Sequence, residues 1–101
     1  MYIPVSARYP NPESGATDIT EMPILNWQSG REAAMHEFYF STDRQAVLDG
    51  TALVDTVTYS FWPCDPLDPG QTYYWKVNEA NEVGDNIVWE GDVWEFTTAQ
   101  K

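Results

Sequence analysis

His36 is the only histidine of the chain and Cys64 the only cysteine, while sixteen Asp and Glu residues stand against five Lys and Arg. These are the side chains with chemistry to offer. A histidine becomes a general base or activates a nucleophile when a Ser, Cys or Thr is held beside it. In Ala34-Met35-His36-Glu37-Phe38-Tyr39-Phe40, strand alternation puts His36 on the face of Phe38 and Phe40, with no nucleophile placed next to it. The expectation is a satisfied core histidine, not a hydrolytic triad. Paired carboxylates do glycosidase chemistry when a cleft holds them roughly 5 to 9 Å apart. Here Asp43, Asp49, Asp65, Asp68, Asp85 and Asp92 lie in turn segments, where Asx side chains support local backbone bonds. The Asp65 and Asp68 loop lacks the Asp-x-Asp-x-Asp-Gly spacing of a calcium loop. A lone cysteine builds neither an internal disulfide nor a Cys-x-x-Cys zinc or redox pair. No catalytic residue, metal or cofactor is expected.

The elements that would position any site follow from composition and punctuation. A chain of 101 residues supports one domain with one core. The whole of 1–101 is therefore a single domain, with about 8–98 as its folded part. Apolar residues make up 43% and charged residues 21% of the chain, outside the regime that leaves chains unfolded. Five Trp, six Tyr and four Phe supply the large rings that fill a thin core. A formal net charge of −11 repels a phosphate backbone, so neither nucleic acid nor an anionic membrane surface is an expected partner. No stretch reaches the roughly 18 to 20 apolar residues of a membrane span, and Met1-Tyr2-Ile3-Pro4-Val5 lacks the pattern of a signal peptide. A secretion signal, if there is one, is expected upstream.

Turn-forming clusters at Pro10–Gly15, Gln28–Gly30, Asp49-Gly50, Pro63–Pro66, Asp68–Gly70 and Val83–Asn86 separate short runs with strand chemistry. Pro23–Trp27, Ala34–Phe40, Leu53–Phe61, Thr72–Val77 and Val93–Thr97 alternate or are rich in β-branched and aromatic residues. Only Thr42–Leu48 reads as helical, a single turn capped by Thr42 or Asp43. Turn signals at roughly 8 to 12 residue intervals without a helical period predict an all-β sandwich.

The segment Leu67-Asp68-Pro69-Gly70-Gln71-Thr72-Tyr73-Tyr74-Trp75-Lys76-Val77 resembles the fibronectin type III pattern, in which a Leu, a Pro-Gly turn and a Tyr precede an alternating strand. Pro12 to Ile19, Leu25-Asn26-Trp27, Phe38–Asp43 and Trp94–Thr98 resemble its first, second, third and closing strands. The likeness covers nearly the whole chain. It implies a seven-stranded, two-sheet antiparallel sandwich of the fibronectin type III or immunoglobulin-like kind. It also implies that Tyr73 is a tyrosine-corner residue, its hydroxyl bonding to backbone near Leu67. Tyr-Tyr-Trp-Lys-Val followed by Gly91–Thr98 is similar to a bacterial subgroup of extracellular or cell-surface proteins. In these the domain sits beside laminin-G-like, concanavalin-like or glycoside-hydrolase domains. The resemblance implies a fold and a setting, and one fold hosts many roles.

Parity then divides the side chains. Leu25, Trp27, Phe38, Phe40, Tyr73, Trp75, Val77, Trp94 and Phe96 are expected in the core, leaving Tyr39, Tyr74 and Val93, with Lys76 and Glu95, facing solvent. Trp62 and Trp89 lie beside loops, and a bulge at Gly91 would reverse the parity of Trp89. A strip of Tyr39, Tyr74 and Val93 would stack on a sugar ring, pack against a neighbouring domain, or shield its sheet. A flat platform without convergent donors holds sugar weakly, and a tethered neighbour gains effective concentration. The expected function is thus a monomeric, non-catalytic spacer or interaction module that contacts neighbouring domains of its own polypeptide. The alternative is a carbohydrate-binding module that takes polysaccharide on the aromatic strip.

Overall fold

The computed structural model describes residues 7–30, 34–80 and 88–100. Among them are nine strands and one helical turn: β1 (Arg8–Asn11), β2 (Ala16–Ile19), β3 (Ile24–Gln28), β4 (Met35–Ser41), α1 (Arg44–Leu48), β5 (Leu53–Val57), β6 (Phe61–Pro63), β7 (Thr72–Ala80), β8 (Val88–Trp89) and β9 (Trp94–Thr98). They form two packed sheets, one ordered β1-β3-β6 and the other β2-β9-β7-β4-β5, with β8 also on β7. The all-β sandwich is as expected. The count of seven strands is not, because two of the seven chain segments are broken.

The first segment changes sheets. β1 pairs with β3, the Asn11-Pro12 peptide bond is cis, and β2 then pairs with β9. That last pairing is parallel, so the sandwich is not wholly antiparallel. The closing segment is broken as well: β8 pairs with Glu79 and Ala80 of β7, β9 with Thr72 to Trp75. Gly91 lies in the gap, where a Cβ would meet the Val77 carbonyl. Only glycine permits that approach.

Free edges are blunted in the manner of sheets that avoid edge-to-edge pairing. β1 and β2 carry register shifts and the left-handed residues Tyr9 and Asp18. β6 is three residues long and ends in Pro63. β5 has a register shift against β4 and sets Asp55 opposite the inward Phe38.

Alternation delivers the core. Leu25, Trp27, Phe38, Trp75, Val77, Trp94 and Phe96 are buried, with Phe40, Leu67 and Trp62 packed partly buried against them. Trp27 stacks on Phe38 at 6.2 Å between ring centroids, and Phe38 on Trp62 at 5.0 Å. Trp75 meets Trp94 edge-on at 4.8 Å. Both the Trp27 and the Trp75 indole N–H are buried without a hydrogen-bond partner. Each such group costs about 1 to 3 kcal/mol, so ring burial must outweigh it. The Tyr73 hydroxyl accepts from the Asp68 N–H at 2.9 Å, one residue past Leu67, and ties the loop before β7 to that strand. Asp43 caps α1 by accepting from the Gln45 N–H at 3.0 Å. The turn at Val83–Asn86, Asp85 included, lies outside the described residues.

Candidate functional site

Chemistry-bearing residues come together at one pole and on the two outer faces of the sandwich, and line one cleft between β5 and β6. The first is the pole where β3 leads into β4. His36 and Glu79 are direct partners in the β4–β7 ladder, and both point inward out of water. His36 Nδ1 and Glu79 Oε1 share a hydrogen bond of 2.7 Å, while Glu79 Oε2 accepts from the Gly30 N–H at 3.0 Å. The imidazole edge meets Trp27 at 5.5 Å. The histidine is in the core, as its run suggests. Its partner was missed, although the parity of Tyr73, Trp75 and Val77 extends to Glu79 and signals an inward carboxylate. The arrangement engages both carboxylate oxygens, and both side chains are buried.

The second place is the outer face of the larger sheet, where Tyr39, Tyr74 and Val93 were expected exposed. The structure corrects this: Tyr39 is 7% and Lys76 2% exposed, and Tyr74 and Val93 are half-buried. Over Tyr39 and Lys76 the cover is α1, which packs across β7 and β4. The Lys76 ammonium sits 4.7 Å from the Tyr39 ring centroid and reaches the Leu48 carbonyl at 3.5 Å and Glu90 at 3.4 Å. The Tyr39 hydroxyl donates to Glu37 at 3.1 Å and accepts from Asn78 at 3.4 Å. Burial, followed by the Glu37 charge, pushes the Tyr39 phenol above its ordinary range. Asn78 also accepts from the Gly91 N–H at 3.0 Å. These groups fasten α1 and the Gly91 loop to the sheet. They do not form a platform. Glu95 is exposed, in line with its parity.

On the open side between β5 and β6 is a cleft of about 210 Å³, with Phe40, Val54, Trp62, Cys64 and Asp65 in its wall. Burial, with Asp65 adding to it, pushes the Cys64 thiol up to about 11. A thiol so protonated at neutral pH is a poor nucleophile. The turn aspartates act locally: Asp49 accepts from both the Thr51 N–H and hydroxyl, which lowers its carboxyl below the usual range. Among the described residues no three His, Cys, Asp or Glu side chains cluster as metal ligands.

The third place is the outer face of the β1-β3-β6 sheet, which the alternation reading passed over. Leu25 and Trp27 turn inward, so Ile24, Asn26 and Gln28 turn outward. Asn26 is the partner of Phe61 on one side and of Asn11 on the other. Ile24 is the partner of Pro63. Tyr59 leans on Phe61 with ring centroids 4.8 Å apart and planes at 36°. Ile24 is 60% exposed, Phe61 46% and Tyr59 44%. No residue of β1, β3 or β6 is Asp or Glu, in a chain with sixteen of them. The available signal was Tyr59-x-Phe61-x-Pro63, three flat side chains at strand spacing. Trp62, whose exposure periodicity left open, lies between them on the inner side, and Trp89 is half-buried. Comparison with protein-family models and with curated proteins finds no match.

Proposed function

We propose that this domain is a non-catalytic spacer and interaction module of a larger secreted or cell-surface bacterial protein, of the fibronectin type III-like kind that its motifs resemble. It positions neighbouring carbohydrate-active or adhesive domains. The observation that carries the reading is the path of the chain. It enters at β1, where Arg8 pairs with Gln28, the pole at which Gly30 meets Glu79 near the end of β7. It leaves beyond Thr97, the partner of Thr72 at the start of β7, where Gly70 bonds to Ala99. Entry and exit thus lie at opposite ends of a nine-residue strand, roughly 30 Å apart at about 3.3 Å per residue. Domains joined through the two ends are kept apart by a body whose buried His36 and Glu79 are spent on each other and on the Gly30 amide. The blunted edges favour a monomer, since no long flat strand is offered for pairing.

The test is to replace the domain in its parent protein by a Gly/Ser linker of matched mean span. Small-angle scattering should show a narrow inter-domain distance distribution becoming broad. An unchanged distribution, or turnover of any substrate by the isolated domain, defeats the spacer reading.

A further inference from the structure

We infer that the outer face of the β1-β3-β6 sheet binds a neutral polysaccharide, with Tyr59 and Phe61 as its stacking surface and Asn11, Asn26 and Gln28 as its hydrogen-bonding groups. This goes beyond the spacer reading and stands without it. Strand register puts the amides and the rings side by side: Asn11, Asn26 and Phe61 form one row across the three strands. Gln28 lies two residues beyond Asn26 on the same face. Tyr59 continues the line of Phe61.

Each half of this composition matches a property of sugar. A pyranose ring presents a weakly polar face of C–H groups, which rests on an aromatic ring through dispersion and weak C–H contacts. Its hydroxyls are each donor and acceptor, and a carboxamide likewise offers both. Tyr59 and Phe61 are tilted by 36°, so they follow a twisted chain better than a flat crystal face. The surface is open, and only an extended polymer laid along it gains contact over its length.

Charge selects the class. Among the described residues, β1, β3 and β6 carry no carboxylate and one cation, Arg8, whose guanidinium donates to the Ser29 carbonyl at 2.9 Å. A chain of net charge −11 repels anionic polymers through its long-range field. A second copy would bring the same charge against it. A cationic protein would be drawn to the acidic remainder and not to the sheet that lacks acid. A neutral hydroxylated polymer incurs no field penalty and finds the surface composed for it.

The experiment uses the chain itself, in affinity electrophoresis and pull-down against cellulose, xylan, galactomannan and starch, with polygalacturonate as the anionic comparison. At least one neutral polymer should retard it, with dissociation constants on the order of 10⁻⁴ to 10⁻³ M. Tyr59→Ser or Phe61→Ser should weaken retardation about tenfold, equivalent to about 1.4 kcal/mol. Tyr74→Ser on the other sheet should leave it unchanged. Thermal melts check that each variant folds. The inference is overturned if no neutral polymer retards the chain, if polygalacturonate retards it equally, or if binding survives both ring substitutions. It is also overturned if Phe61→Ser converts a sedimenting dimer into monomer, which would give the face to a second copy. None of these outcomes bears on the linker-replacement test, so the two readings fail separately.

Discussion

His36 and Glu79 meet across the β4–β7 ladder with 2.7 Å between Nδ1 and Oε1, each shielded from water by the two sheets. Breaking such a pair from one side strands a buried polar group, at a cost of about 3 to 5 kcal/mol, while replacing both partners by apolar residues is often neutral.

His36→Leu and Glu79→Leu should therefore each lower stability by about 3 kcal/mol, and the double variant should recover at least about 2 kcal/mol relative to either single one. Urea denaturation of the four proteins measures this. Additive losses would mean that the two side chains do not interact energetically.

Gly91→Ala drives a methyl group toward the Val77 carbonyl and displaces the amide that donates to Asn78. A loss on the order of 2 kcal/mol or more is expected, because the obstructing atom is backbone and cannot rotate away. Hydrogen exchange should show the Gly91 amide losing protection. A loss below about 0.5 kcal/mol, the size of an ordinary surface change, would show that the loop is free to move off β7.

Alkaline pH should destabilise the fold through Cys64 and Tyr39. The thiol is raised from 9.0 to about 11, and the phenol is raised from 10.0. Between about 9 and 11 the unfolded thiol has lost its proton while the folded one keeps it. The unfolded state then binds fewer protons, and stability falls as pH rises. The contribution is whole below pH 9 and gone above about 11. Cys64→Ala should flatten the decline in urea midpoint over this window, and thiol-specific reagents should label native Cys64 slowly at pH 8. Fast labelling would contradict the burial of the thiol.

Lys76→Met keeps the aliphatic stem in place but removes the cation from the Tyr39 ring and from the Leu48 carbonyl. About 1 to 2 kcal/mol should be lost, with α1 amides exchanging faster than those of β7. Equal exchange in both would show that Lys76 does not hold the helix.

Period-two patterning was enough to place Leu25, Trp27, Phe38, Trp75 and Phe96 in the core, because a strand sends alternate side chains to opposite faces wherever the strand ends up. It was enough, with the turn signals, for an all-β sandwich. It did not predict Tyr39 and Lys76: their side chains do turn outward, but burial on that side depends on α1, which the chain lays over β4 and β7 only once the sheet exists. Alternation tells which face a residue takes and not what covers that face. Glu79 was legible in parity, yet its meaning came from a ladder that sets it opposite His36, forty-three positions away. The face of Asn11, Asn26 and Phe61 is likewise scattered in sequence over β1, β3 and β6. It becomes one surface only through long-range strand pairing, whose register depends on core packing and turn geometry together, and short-range pattern carries neither.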